Sequence, residues 1–287
     1  MSIMRKLREY LNRPLSFVMF LLIIISTVIT ALTVVFIIGY IFIKGVPNLS
    51  LDLFSLKYSS SNQSMLPSII NTVYLTALTL LLAVPIGIFS AIYLAEYSRK
   101  NSFFVKIINI ANETLSGIPS IVFGLFGYLM FNLSLGWGFS MLAGVVTLAM
   151  MILPLIIRTT EEALLAVPDS YREGSFGLGA GKMRTVFRVI LPTAVPGIMS
   201  GVILAIGRIV GESAALIFTS GSGHSIPGAL AGSGSSAATL TVHMYILSNE
   251  GLHVNEAFAS AVVLLALTFI INLISDLIER HIAKKKG

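Results

Sequence analysis

The chain has 287 residues, of which 55% are hydrophobic and 11% charged, with net charge +6 and mean hydropathy +0.90. A water-facing surface usually takes roughly 25% charged residues, so this composition excludes a wholly soluble protein and leaves no room for a separate soluble enzyme domain. Cysteine is absent, which excludes disulfides, thiolate metal sites and a cysteine nucleophile.

A bilayer core of about 30 Å takes about 20 helical residues. Apolar runs of that order lie at 15–43, 69–94, 115–133, 139–157, 190–218 and 257–278. The first exceeds the roughly 7–15 residues of a signal-peptide core and no small-residue cleavage site follows it, so it is expected to remain as a helix. Pro85, Pro119, Pro154 and Pro196 interrupt or flank spans, and neighbouring helices can satisfy the backbone groups they free. Pro119, within Gly117-Ile118-Pro119-Ser120, is expected to break or bend the third span. That leaves either a packing kink or a helix N-terminus, with Ser120, aimed at an anion path.

Sixteen of the 19 Lys and Arg residues fall at the N-terminus, in the second and fourth loops and in the tail. Only Lys44 and Lys57 fall on the opposite side. Cytoplasmic loops carry the positive excess, so both termini are expected inside, in a multi-pass arrangement in a prokaryotic inner membrane. The basic residues flank apolar segments, which reads as orientation in a lipid bilayer and not as nucleic-acid binding. Residues 1–67 then comprise a cytoplasmic segment, the first span and an outer segment, and 68–287 a five-helix core.

Two loops are long. The cytoplasmic one, at about 158–189, holds Pro168-Asp169-Ser170-Tyr171-Arg172-Glu173. Ser170 and Glu173 have the spacing of a capping box, and Gly179 or Gly181 can end the helix so begun. Local physics allows either an amphipathic helix on the membrane surface or a helix that docks a partner. Gly177-Leu178-Gly179-Ala180-Gly181-Lys182 superficially resembles a phosphate-binding loop, but Phe176 stands where the first Gly is needed and Met183 follows the Lys. The chain is therefore not expected to bind ATP.

The outer loop, at about 219–256, has no Lys or Arg. Its Gly and Ser favour a flexible or re-entrant segment. Its histidines, His224, His243 and His253, match no compact metal motif and read as solvated. Arg158 reads as snorkelling to the interface, Glu161 and Glu162 as a solvated face, and Trp137 as a membrane-edge anchor.

In the fifth run Arg208 and Glu212 stand four residues apart, one turn along a helical face. Gly207 and Gly211 form a small-residue face beside them, suited to close helix approach. A charge in the bilayer costs at least about 2.5–3.5 kcal/mol, so it faces protein or a water-filled cavity. Either the two residues make a structural ion pair, or they gate a substrate. Arg matches an oxyanion with its fork of donors, and Glu can accept a hydrogen bond from a P–OH.

Glu173-Gly174-Ser175, three residues, Gly179, nine residues and then Val189-Ile190-Leu191-Pro192 resembles the coupling loop of ABC importer permeases. Gly174 and Ser175 replace two Ala of that pattern and Val189 an Ile. The resemblance implies an all-α type I permease fold with six transmembrane helices. It also implies a coupling helix docked on an ATP-hydrolysing partner through Glu173 and Gly179, with Ser170 and Arg172 beside them. Leu204-Ala205-Ile206-Gly207-Arg208-Ile209-Val210-Gly211-Glu212-Ser213-Ala214, Gly117 to Gly127, and Ser68 to Thr76 resemble the membrane subunits of the phosphate importer, more the PstA type than the PstC type.

That likeness implies inorganic phosphate as cargo, a homologous PstC-type subunit, two copies of an ATP-binding subunit and an extracytoplasmic phosphate-binding protein. Arg208, Glu212 and Ser120 are the expected path residues. No cofactor and no catalysis are expected in this chain. The rival expectations are an ABC permease for sulfate or molybdate, and an ATP-independent secondary transporter or channel.

Overall fold

The computed structural model describes residues 14–59, 62–98, 102–226, 235–251 and 253–284, with backbone only for 14 and 279–284. Half of the basic residues that set the expected orientation, including those before Pro14, Arg99 and Lys100, lie outside the described residues. The helices that build and position the site are α1 (Pro14–Gly45), α2 (Leu66–Tyr97), α3 (Phe103–Gly117), α4 (Ser120–Ser134), α5 (Met141–Leu165), α6 (Asp169–Gly177), α7 (Lys182–Val210), α8 (Ala214–Thr219), α9 (Leu240–Glu250) and α10 (Val254–Lys284).

Among the described residues, α1, α2, α5, α7 and α10 are long and apolar enough to cross a membrane. The α3–α4 pair, bent by 102° at its break, makes a sixth if it counts as one span. The expected break at Pro119 is present: this residue is the N-cap of α4, with ψ 142°. It leaves α3 as a separate helix, so the expected third run at 115–133 is not one straight span. Helix α1 is apolar on all sides and leaves most of its large side chains exposed, as a lipid-facing helix does. It leans on α10.

The centre is α5, capped by Ser140, whose Oγ accepts from the Ala143 N–H at 3.3 Å. It lies between α2 and α7, while α4 packs on α8, and α9 and α7 pack on α10. Leu75, Leu148, Ile152, Ile209 and Leu216 share one buried cluster. Ile92, Leu94, Leu164, Val186 and Ile190 share a second, at the other end of α5. Lipid is as apolar as these side chains, so close van der Waals fit must hold the helices together. Small residues provide it: a Cβ at Gly87 would lie 2.6 Å from Ile156, and one at Gly201 would collide with Thr159. Pro85, Pro154 and Pro196 sit inside continuous helices.

The fifth run does not continue to 218 as one helix. Helix α7 ends at Val210, and α8 begins at Ala214 after the turn through Gly211. Nor does a neighbour among the described residues use the Gly207 face: none of them lies within 4 Å of a Cβ built there.

The outer loop contains α9, which is packed and anchored. Thr72 Oγ1 accepts from the Leu240 N–H at 2.8 Å, and Thr241 Oγ1 donates to the Val210 carbonyl at 2.6 Å. Asn71 Nδ2 donates to the carbonyls of Ser225 and Ala238. Two of the three histidines are not solvated. His243 is 1% exposed, and His224 stacks on Tyr58 with ring centres 3.5 Å apart and lies edge-on to His243 at 5.5 Å. Burial, and then the neighbouring His224, push the pKa of His243 down to about 4. His253 lies 3.2 Å from Gln63 Nε2 and 3.7 Å from Glu256.

Candidate functional site

Two places combine chemistry with access. The first is the loop between α5 and α7. Its helix α6 starts two residues earlier than a capping box at Ser170 requires. Pro168, with φ −56° and ψ 142°, is the N-cap, and no side chain caps the helix. Ser170 and Glu173 therefore lie within α6, both exposed. The fixed φ of proline suits this entry, and Asp169 in the first turn complements the helix dipole.

The C-terminus follows the expected pattern. Gly179 has φ +80°, its N–H donates to the Phe176 carbonyl at 2.9 Å, and the Ala180 N–H donates to the Ser175 carbonyl at 3.1 Å. This is a Schellman ending, in which glycine adopts the left-handed conformation without a Cβ penalty.

Arg172 faces inward. Its Nη2 lies 2.6 Å from Glu96 Oε1, at the end of α2, with the two side chains 16% and 9% exposed. Its Nη1 donates to the Val167 carbonyl at 2.8 Å and its Nη2 to the Leu164 carbonyl at 3.0 Å, which satisfies orphan carbonyls where α5 ends. It also pairs with the exposed Asp169 at 3.1 Å. Ser175 Oγ meets Thr185 Oγ1 at 2.8 Å, and Lys182 Nζ stands 5.0 Å over the Tyr97 ring. Helix α6 is thus fixed to α2, α5 and α7 together.

Exposed apolar side chains lie on α6, just after it and at the start of α7, among exposed Asp169, Ser170 and Glu173. Tyr171, Phe176, Leu178 and Met183 are 49%, 48%, 92% and 70% exposed. A cluster of exposed apolar side chains rimmed by Ser170 and Glu173 has the character of a protein interface. Sequence reasoning did not single out Glu96 or these apolar residues. An acid closing a long apolar run was the available signal for Glu96.

The second place is on α7, one of the helices long and apolar enough to cross a membrane. Arg208, itself exposed, lines an open pocket of about 490 Å³ together with Leu155, Ile203, Leu204, Gly207 and Asn272. Among the described residues Arg208 has no ion pair and no hydrogen-bonded side-chain partner. Glu212 is not on its helical face. The helix ends between them, and Glu212 Oε1 accepts from the Ala215 N–H at 3.0 Å, capping α8. Ser120, half-buried at the start of α4, does not border this cavity. Arg208 thus stands apart from both expected companions, and Asn272 of α10 borders the cavity with it.

Residues 83–287 match the profile of a family described as binding-protein-dependent transport system inner membrane component. The probable ABC transporter permease protein YqgI of Bacillus subtilis (strain 168) is 38% identical over 185 residues, which is 64% of this chain and 63% of that protein. The phosphate transport system permease protein PstA of Haemophilus influenzae is 34% identical over 221 residues, 75% of this chain and 76% of that protein.

A permease chain in the crystal structure of a bacterial ABC transporter that imports the acidic polysaccharide alginate superposes with TM-score 0.68 at 18% identity, over 96% of this chain and 99% of that one. For the inward-facing MetNI methionine ABC transporter the values are 0.58 and 21%, over 75% and 93%. These two likenesses concern the fold alone. The match over residues 83–287 covers most of the chain, which therefore belongs to the family of binding-protein-dependent transport system inner membrane components.

Proposed function

We propose that this chain is the transmembrane permease subunit of an ATP-driven importer that moves inorganic phosphate across the inner membrane by alternating access. The observation that supports the reading is a guanidinium with no ion pair among the described residues, lining an open pocket between helices long and apolar enough to cross a membrane. An uncompensated cation is costly in a low-dielectric medium and earns its place by serving an anion. Its planar fork suits a tetrahedral oxyanion. The names of the relatives at 34–39% identity, several of them PstA proteins, support phosphate as that anion.

The partners follow from this reading. A PstC-type homologue completes the path, two ATP-binding subunits dock at the coupling helices, and an extracytoplasmic binding protein delivers phosphate. ATP is hydrolysed on the partners and not on this chain. Both termini and α6 face the cytoplasm. The exposed face at Tyr171, Glu173, Phe176 and Leu178 receives the motor, and Gly179 sets the turn that presents it. Arg172 passes the motor's movement to the spans by joining α6 to α2 and α5. Arg208 lowers the electrostatic barrier for the anion, while Ser120 sits at the α3–α4 bend as a more distant path residue.

The test is radiolabelled phosphate uptake at submicromolar concentration by cells lacking the gene, with sulfate uptake as control. Restoration of phosphate uptake alone by the wild-type chain is the expected result. Restoration of sulfate uptake instead would contradict the assigned cargo.

A further inference from the structure

We infer that Asn272 of α10 is a second cargo-contacting residue, which with Arg208 forms a two-sided site for a protonated oxyanion. The inference rests on the phosphate reading above and deepens it. Of the six residues that border the cavity, only Arg208 and Asn272 have polar side chains; Leu155, Ile203 and Leu204 are apolar and Gly207 has none. Asn272 Oδ1 is buried with no hydrogen-bond partner among the described residues. An unpaired amide is costly in an apolar span, where no water compensates it. A polar group held there without a partner of its own, on the wall that also carries an unpaired cation, is suited to a ligand that occupies the space between.

The chemistry of the two groups is complementary. Arg presents donors only, whereas an amide presents both a donor and an acceptor. Near neutral pH inorganic phosphate carries both P–O⁻ and P–OH, while sulfate carries no hydroxyl. Arg208 alone serves either anion. Asn272 adds an amide donor for a P–O⁻, and a half-turn about its terminal torsion, which takes Oδ1 out of its inaccessible position, offers the acceptor that a P–OH requires. Glu212 does not border this pocket. Gly207 keeps the wall beside Arg208 open, with nothing within 4 Å of a Cβ position.

The experiment uses the whole transporter, reconstituted with its partner subunits and binding protein, and measures both radiolabelled phosphate uptake and ATP hydrolysis. Asn272→Leu keeps the size of the side chain and is well tolerated in a membrane helix. It is expected to slow uptake by about tenfold, the scale of one hydrogen bond to a charged group, with ATP hydrolysis largely retained. Asn272→Asp should slow it further, because its carboxylate repels phosphate and pairs with Arg208. Asn272→Gln, which keeps the amide, should recover part of the rate.

Uptake by Asn272→Leu at the wild-type rate overturns the inference. So does an equal fall of uptake and ATP hydrolysis in the Leu and Gln variants alike, which marks a packing contact only. If the wild-type transporter itself moves no phosphate, the cargo assignment fails, an outcome distinct from either of these.

Discussion

Arg172 Nη2 stands 2.6 Å from Glu96 Oε1, a largely buried ion pair that joins the short helix α6 to the end of α2, 76 residues earlier in the chain. The same guanidinium donates to the carbonyls of Leu164 and Val167, so one side chain holds three elements in register. A helix of nine residues is too short to be stable alone, and this anchoring gives it a fixed orientation.

Removing one partner of a buried pair leaves the other charge uncompensated, at a cost of about 3–5 kcal/mol. Glu96→Gln and Arg172→Gln are each expected to lower the thermal stability of the purified transporter by several degrees and to uncouple ATP hydrolysis from uptake. The double variant should be less damaged than the sum of the two, with a coupling energy above about 1 kcal/mol. Additive effects in a double-mutant cycle would show that the pair does not act as a unit.

The exposed apolar side chains at α6 are expected to hold the ATP-binding partner. Leu178, at 92% exposed, contributes little to the fold of this chain. Leu178→Asp should therefore leave membrane insertion unchanged while the partner no longer co-purifies. Gly179→Ala should weaken the same association through the left-handed turn, at about 1–2 kcal/mol. Normal co-purification of the Leu178 variant would argue that the partner docks elsewhere.

Arg208 and Glu212 act separately in this structure, and uptake kinetics can check it. Gln at 212 retains an oxygen able to accept the Ala215 N–H, so Glu212→Gln is expected to transport phosphate within about twofold of wild type, a change below about 0.5 kcal/mol. Glu212→Ala loses the cap, at about 1 kcal/mol of local stability. A loss in Glu212→Gln as deep as that in Arg208→Gln would restore the two residues to one functional unit.

The outer face should respond to acid. His243 is neutral in the fold, with its pKa pushed by burial from 6.5 to about 4. Protonation therefore favours the open state. The stabilising contribution is complete above pH 6.5 and is lost as pH falls toward 4. Protection of the amides across 240–250, corrected for the pH dependence of intrinsic exchange, should be higher at about pH 7.5 than at about pH 5. His243→Leu should flatten that difference, and an unchanged pH response in this variant would point to another group.

Much of this architecture was legible in the sequence because its signals are long or local. Lipid requires about 20 apolar residues in a row, so the spans stand out. The Gly179 turn follows from the left-handed preference of glycine, and the break at Pro119 from its missing N–H. What escaped notice depends on contacts distant in sequence or on where a helix stops. The i,i+4 spacing of Arg208 and Glu212 implies a shared face only if the helix continues, and it ends at Val210. Ser170 has the spacing of a cap, yet Pro168 starts the helix sooner. His224 and His243 look like loop residues until Tyr58 and α9 enclose them. Asn272 lies in an ordinary apolar run, and only the packing of α10 on α7 brings it to the cavity of Arg208.

On the proposed reading Arg208 serves the anion rather than the fold, and a single pair of assays separates the two roles. Phosphate uptake and ATP hydrolysis are measured on the reconstituted transporter carrying Arg208→Gln, at wild-type levels of assembly. ATP hydrolysis is expected to continue while uptake falls by at least about a hundredfold, the scale of losing a charged contact in a low-dielectric passage. An assembled Arg208→Gln transporter that imports phosphate at the wild-type rate would contradict this role.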